Sequence, residues 1–528
     1  MEFQKSVIHM DTMGAQKEIQ AIVDEDMIVP DSKPDIDRLI AKDGKIEATI
    51  EKKHGGRLAL DGVFRYRMLY GNEKFPGNAY FISGEFQVNE VLSQTDGTEE
   101  ETGIEGGYLD CDFEIEDFKV SIINGRKYNI KAIINAKCRM RKEEIRQITT
   151  KMEGMDDICM KQESLQVLEL TCSKKDIYRI REDINIPKNK PNIEKILWDF
   201  AGANGLTYKL GENQIEIEGQ LDTFVLYQPA DEDAPQQWLE QVIPFRGVVE
   251  AQGISSEMVH NICGSLGKWE IVIKEDEDGE PRMLSVDAVI ELKIRTYQDT
   301  SLSVLKDVYS TRNRLVLQKE PCRLERLVLK NSSKVKVSHK EKVEEKNGGV
   351  LSVCAANPQI LLEDIQQTPK GMELSGIIRV NIMYVSTNDV YPISEMTEEI
   401  PFSHLMEINE KKENYTREVY ANMDSIQAGM SGQNEIELKA VMELVAFIKE
   451  PVLVNSIQQI DVQQITDEER MHFPCMTGYV VQEHDDLWEI AKENHTTIET
   501  IRELNGLDEK ELVPGQKIIL LEPSKELL

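Results

Sequence analysis

Apolar and polar residues alternate along much of this 528-residue chain, and a period of two predicts β-strands. Short examples are residues 113–115, 215–217 and 335–337. Longer alternating segments begin at residues 130, 286 and 438. The pattern favours a mainly β protein built from sandwiches of short antiparallel strands.

The chain also repeats itself at long range. Residues 29–40, which begin Val-Pro-Asp and contain Pro-Asp-Ile, return 157 positions later as residues 186–197. The segment from Gly62 to Tyr70 returns at the same offset as the segment from Gly219 to Tyr227, and again as the segment from Gly376 to Tyr384. Repetition at a fixed period indicates copies of one structural unit. We therefore predict three repeats, at residues 1–145, 165–300 and 325–450.

The segments between these repeats are polar and compatible with helix. Residues 142–163 and 298–319 are expected to link the copies, and residues 457–472 to tether the C-terminal segment. The Pro-Asp-Ile element is expected to lead into a short helix, with Pro34 and Pro191 fixing φ at its entry.

The pattern changes near the C-terminus, where apolar residues take helical spacing. Leu487, Ile490 and Ala491 share one helical face, and Asp486 with Glu489 forms a capping box before it. A second box, Thr496 with Glu499, precedes a second stripe, and Asn505 is expected to cap the end of that helix in the left-handed conformation. Strands at 479–482 and 517–520 complete a small βααβ module at residues 477–522.

The motifs of this module resemble those of the LysM family. Tyr479-Val480-Val481, Leu487-Trp488-Glu489-Ile490-Ala491 and Gly515-Gln516-Lys517-Ile518 carry the resemblance, in the family's order and spacing. The family binds N-acetylglucosamine glycans, in a groove that here corresponds to residues 483–486 and 505–512. Trp488 is expected to support the core of the module.

Two positions of this groove depart from the family pattern. His484 stands where Gly is usual, and Asp486 where Thr or Ser is usual. Residues 479–522 also contain eleven acidic and four basic residues, whereas peptidoglycan is itself anionic. We therefore expect a protein rather than a glycan in the groove. The predicted partner-binding residues are His484, Asp485, Lys510 and Leu512.

Three repeats with a Val-Pro-Asp-x-x-Pro-Asp-Ile element, followed by LysM, resemble the SPOCS domain family of endospore-forming bacteria. The resemblance implies a spore coat assembly adaptor in the cytoplasm of the mother cell, localised to the forespore surface. It also implies that LysM binds the coat morphogenetic ATPase, a SpoIVA-like protein, while the repeats serve as a spacer or as a multivalent surface for other coat proteins. The alternative is a peptidoglycan-binding LysM protein of the spore cortex or envelope.

Composition argues against several classes of function. A net charge of −33 argues against nucleic-acid binding, and no apolar stretch is long enough for a membrane span. The N-terminus lacks the apolar core of a signal peptide, so we expect the protein to stay in the cytosol. Eight scattered cysteines without a metal-ligand spacing favour reduced thiols, with no metal and no cofactor.

No catalytic motif is recognisable, and we expect no enzyme. Residues 264–268 mimic part of a phosphate loop, but Trp269 stands where Ser or Thr must bind magnesium, so a turn before a strand is predicted. Asp31, Asp35 and Asp37 could suggest calcium, but the second copy does not preserve these carboxylates.

Overall fold

The computed structural model describes residues 2–52, 58–92, 107–231, 234–343, 349–408, 415–466, 468–469, 476–507 and 512–521. Strands dominate them, as the alternation predicts. The first repeat contains β1 (Glu2–Ile28), β2 (Arg38–Lys52), β3 (Leu58–Gly71), β4 (Ala79–Leu92), β5 (Tyr108–Asn124) and β6 (Lys127–Glu153). The second contains β7 (Ile158–Asn185), β8 (Ile193–Gly211), β9 (Gln214–Pro229), β10 (Gln237–Glu250), β11 (Val259–Lys274) and β12 (Met283–Ser310). The third contains β13 (Asn313–Lys342), β14 (Val350–Thr368), β15 (Gly371–Ser386), β16 (Ile393–Glu407), β17 (Thr416–Gly432) and β18 (Glu435–Gln464). The C-terminal module contains β19 (Met476–Val480), α1 (Leu487–Glu493), α2 (Ile498–Asn505) and β20 (Lys517–Leu521).

Each repeat forms two three-stranded antiparallel sheets with the same strand order. One sheet joins the second, third and fourth strands, and the other joins the first, sixth and fifth. The inner faces of the two sheets share one apolar core in each repeat. This arrangement confirms the predicted antiparallel sandwiches.

The first and sixth strands of each repeat are unusually long and extend beyond the sandwich. They occupy most of the segments expected to be polar linkers, so that expectation is wrong for the described residues within β6, β7, β12, β13 and β18. The reason is visible in their alternation, since one face of each extension is apolar and buried. Ile148, Leu305 and Ile457 lie on these faces and are fully buried. The extensions of the three repeats therefore pack on one another.

The Pro-Asp-Ile element is a turn, and the predicted short helix is absent from its described residues 29–37. Arg126 explains the difference, because its guanidinium donates to the carbonyl oxygens of Lys33 (2.7 Å) and Val29 (3.0 Å). Arg282 does the same in the second repeat, donating to Pro187 O at 3.0 Å. These bonds satisfy carbonyls that a helix would have used, and they hold the chain as it crosses between sheets.

Residues 264–268 also differ from the expectation. They lie inside β11 rather than in a turn before a strand, and the pairing with β12 is irregular between Leu266 and Trp269. The two glycines accommodate close neighbours, since a Cβ at Gly264 would meet the Tyr208 hydroxyl at 2.3 Å.

The three repeats meet in a buried cluster of acidic and basic side chains with one tyrosine. Arg141, Tyr297 and Lys449 hold equivalent places, each eleven residues after the start of its alternating segment, and each is 1% exposed. The Arg141 guanidinium pairs with Asp11 at 3.1 Å. Lys449 pairs with Glu325 at 2.6 Å. We call the following residues the ion hub: Asp11, Asp110, Arg141, Arg295, Tyr297, Glu325, Glu418 and Lys449.

The ion hub joins different repeats through direct contacts. Arg141 of the first repeat pairs with Glu418 of the third, and the Tyr297 hydroxyl of the second donates to Asp11 of the first at 2.9 Å. Burial alone would raise the pKa of Glu418, but Arg141 and then Lys449 outweigh it and lower that pKa. The Glu418 carboxylate therefore remains charged and paired in the folded protein.

An apolar contact joins the repeats at a second place, among the other three sheets. It includes Leu69, Leu226 and Met383, which are equivalent residues of β3, β9 and β15. Their strand partners are Phe81, Trp238 and Glu395. The third repeat thus places a carboxyl where the other two place an aromatic ring.

Replacing Arg141 with Met should destabilise the whole chain by about 3–5 kcal/mol, because it leaves Asp11 and Glu418 buried without their nearest cation. Chemical denaturation of the full chain measures this. Arg179→Met is the matched control, since Arg179 pairs with Asp287 on the surface and should cost at most about 1 kcal/mol. Equal losses for both variants would contradict the role assigned to the ion hub.

Glu395 should make stability depend on pH. Burial, and next the Asp43 carboxylate, raises the pKa of Glu395 from 4.5 to about 8. The folded state then binds the proton more tightly than the unfolded state, so this contribution to stability is lost as pH rises between those values. Glu395→Gln should reduce the fall in Tm between about pH 5 and about pH 8. Glu399→Gln, an exposed change on the same strand, should leave the fall unaltered.

Candidate functional site

The C-terminal module pairs β19 with β20 antiparallel and packs both helices against them. Asp486 caps α1 as predicted, since its Oδ1 accepts from Trp488 N at 3.1 Å. The predicted cap of α2 is wrong by one residue. Thr497 Oγ1 accepts from Thr500 N at 3.1 Å, whereas Thr496 is fully buried.

The end of α2 also differs from the prediction. Asn505 is the last helical residue, and Gly506 adopts the left-handed conformation with φ of 59°. The Asn505 amide oxygen accepts from Ile519 N at 2.6 Å, and its nitrogen donates to Ile519 O at 2.8 Å. Asn505 therefore ties the helix to β20 instead of supplying the left-handed turn.

The loop before α1 carries two of the predicted partner-binding residues. His484 is exposed and has φ of 75°, the left-handed region in which Gly is favoured. Asp485 has a structural role, because its Oδ2 accepts from Gln482 N at 2.7 Å and from the Tyr479 hydroxyl at 2.9 Å. The loop therefore presents the imidazole on a turn that Asp485 holds.

The other two predicted residues lie on the far loop. Leu512 is partly buried and packs against the core of the module. Lys510 lies outside the described residues. The structure thus brings His484 and Asp485 together in one turn, and it assigns Leu512 to packing.

A contact that the sequence did not predict joins the module to the second repeat. The Trp488 indole nitrogen donates to Asp307 Oδ2 at 2.8 Å, and Lys492 Nζ donates to the same oxygen at 2.7 Å. The Tyr309 ring meets the Trp488 ring edge-on, with centroids 4.9 Å apart. The Tyr309 hydroxyl also donates to Thr496 O at 2.8 Å. We call this set of contacts the docking contact.

Charge reinforces the docking contact. Burial alone would raise the pKa of Asp307, but the bonds from Lys492 and Trp488 outweigh it and lower that pKa. Lys161 of β7 donates to Asp486 Oδ2 at 2.6 Å and lowers the pKa of Asp486. Asp307 and Tyr309 are spaced two apart on β12, so they point the same way. Of the side chains in the docking contact, only Trp488 was singled out from the sequence, and there it was predicted to support the core of the module itself.

Two other places in the molecule have features of ligand sites. A cavity of about 1810 Å³ lies between the three repeats and is lined by side chains of both charges. Among the described residues, His339, Glu341 and Glu398 bring three metal-type ligand atoms within 4.8 Å of one another. The His339 Nε2 lies 3.5 Å from Glu341 and 3.9 Å from Glu398, distances at which an ion pair suffices.

Comparison with known families identifies two kinds of domain in the chain. A LysM domain model matches residues 479–520, and a model described as SipL, SPOCS domain matches residues 192–273 and 349–431. The chain carries SipL-type SPOCS domains and a LysM domain. No curated protein and no solved structure shows a significant match.

The SPOCS matches cover a defined part of each fold. They run from β8 to β11 in the second repeat and from β14 to β17 in the third. The long first and sixth strands, which supply most of the ion hub and the Asp307 and Tyr309 side of the docking contact, lie outside the matched segments, whereas Glu418 of the ion hub lies within one. The first repeat has the same two-sheet topology. These domains support a sporulation-related binding protein, and no helix in the described part of the chain is long and apolar enough to cross a membrane.

Removing the Asp307 carboxylate should loosen the LysM domain without altering its own core. Asp307→Ala deletes the acceptor of two bonds, one of them to a charged lysine, and such bonds contribute about 1.5–3 kcal/mol. Hydrogen exchange of the full chain should show faster exchange in α1 and in the following turn at residues 494–496. Asp299→Ala, an exposed change on the same strand, is the control. Unchanged exchange in both variants would contradict the docking contact.

Proposed function

We propose that this protein is an adaptor of spore coat assembly that acts by binding rather than catalysis. Its LysM domain binds a protein, the coat morphogenetic ATPase of SpoIVA type, in the mother cell at the forespore surface. The SPOCS repeats form the body that positions the LysM domain and offers surface to other coat proteins. The SPOCS and LysM matches support the sporulation-related binding role.

The observation that carries the choice of a protein ligand is the loop at residues 482–486. A left-handed His484 projects an imidazole where the family has Gly, which leaves less room for a sugar to approach the backbone. Asp486, on the same rim, is held by Lys161 of the second repeat. The loop therefore lies beside the SPOCS body, and a partner can contact both surfaces at once.

The second candidate function is peptidoglycan binding. It is favoured by the preservation of the LysM fold, with both helices and the two-stranded sheet in place. The acidic composition of residues 479–522 opposes it, since eleven acidic and four basic residues would face an anionic polymer.

Two binding measurements on the full chain separate these functions. We expect the chain to bind the purified coat ATPase and to stay in the supernatant when peptidoglycan is sedimented at moderate salt. His484→Ala should weaken ATPase binding at least about fivefold, or about 1 kcal/mol. Glu503→Ala, an exposed change on α2, should not.

Three outcomes would overturn the proposal. Sedimentation with peptidoglycan that chitin oligosaccharides compete away would establish the glycan function. Full ATPase affinity in His484→Ala would remove the loop from the interface, and no affinity in the unchanged chain would remove this partner.

A further inference from the structure

Two cysteines that are far apart in sequence become neighbours in the first repeat. Cys111 of β5 and Cys138 of β6 are directly paired across the antiparallel sheet. Their Sγ atoms lie 2.8 Å apart. Directly paired residues have Cα atoms about 4.5–5.5 Å apart, a separation that a disulfide spans without movement of the backbone.

Access to this pair comes from one side. Cys111 is partly exposed and lines the cavity between the three repeats, whereas Cys138 is buried. Cys263 lines the same cavity without a described cysteine beside it. A small reagent in the cavity would therefore meet Cys111 first and find Cys138 directly behind it.

The surroundings also favour thiol chemistry. The Cys111 thiol donates to the Cys138 sulfur, and this bond lowers the pKa of Cys138 and raises the pKa of Cys111, so the resting thiolate of the pair lies on Cys138. The neighbouring carboxylates of Asp110 and Asp112 oppose a thiolate, but Lys293 pairs with them at 3.1 Å and 2.6 Å. Lys293 therefore neutralises part of the negative charge that would destabilise a thiolate at this pair.

We propose that Cys111 and Cys138 form a reversible oxidation site that closes to a cross-strand disulfide in the wall of the central cavity. The oxidant is a small-molecule disulfide. This site is independent of the proposed coat function.

The reaction proceeds by two thiol–disulfide exchanges. Cys111 passes its proton along the hydrogen bond to the Cys138 thiolate and attacks one sulfur of the small disulfide. That sulfur–sulfur bond breaks, and the first thiolate leaves and takes a proton from water. Cys138 then attacks the Cys111 sulfur, and the second thiolate leaves with the Cys138 proton. The two cysteines lose two electrons, and the small disulfide gains them as two thiols.

The test oxidises the reduced, folded full chain with glutathione disulfide and then alkylates the remaining thiols. We expect two of the eight thiols to be lost, with mass spectrometry showing a disulfide that links the peptides of Cys111 and Cys138. Dithiothreitol should restore all eight. Cys263→Ser, the matched control in the cavity wall, should retain the linked peptide.

Single variants test the order of attack. In Cys138→Ser and Cys138→Ala the Cys111 thiol loses its proton to water instead, so both should accumulate a glutathione adduct on Cys111 more slowly but stably, because nothing resolves it, while Cys111→Ser should leave Cys138 unmodified. The unchanged chain overturns the proposal if all eight thiols remain reactive or if the linked peptide contains another pair. Cys138 variants without the adduct would equally exclude Cys111 as the entry point.

Discussion

Arg141 is almost completely enclosed by protein, and carboxylates from two of the three repeats converge on it. Burying such a group costs several kcal/mol in lost hydration, and only close, complementary partners compensate for that cost. Asp11 and Asp110 come from the same repeat, but Glu418 comes from the third. The compensation is therefore complete only when the first and third repeats are assembled, so the stability of the first repeat depends on the third.

The ion hub also explains why three repeats of one fold differ in sequence. The same position carries Arg141, Tyr297 and Lys449, and three identical cations at one centre would repel one another. A ring of identical chains could not vary the residue from copy to copy. Covalent linkage of three copies allows unlike side chains at equivalent places, so that each can serve as a partner for the others.

Strand β12 connects this centre to the LysM domain. From Tyr297 in the ion hub to Asp307 in the docking contact there are ten residues, or about 33 Å of extended strand. The LysM domain thus rests on the end of a strand whose middle is fixed in the ion hub. Trp488 points inward to this strand, and the groove loop with His484 remains at the surface.

The sequence predicted the structure correctly where a local pattern determines it. Alternation identified the sandwiches, the repeat offset identified their number, and Asp486 before an apolar stripe identified the start of α1. Predictions were wrong where the same sequence pattern is compatible with two different local structures. The extended strands were expected to be polar linkers because their outer faces are charged. Thr496 was expected to cap α2, but it is buried, and Thr497 supplies the cap. The docking contact was hidden because Asp307 and Trp488 are 181 residues apart.

The ion hub helps to decide whether the repeats act as a spacer or as separate binding surfaces. A spacer made of independent domains tolerates the loss of one copy, because each copy retains its own core. Here the loss of the third repeat would remove Glu418 and Lys449, and it would expose Arg141 and Asp11 to water without these two partners. The length of the chain is thus not adjustable one repeat at a time. Three copies around one ion hub form a single body of fixed shape, which favours a surface presented as a unit over a simple extension of reach.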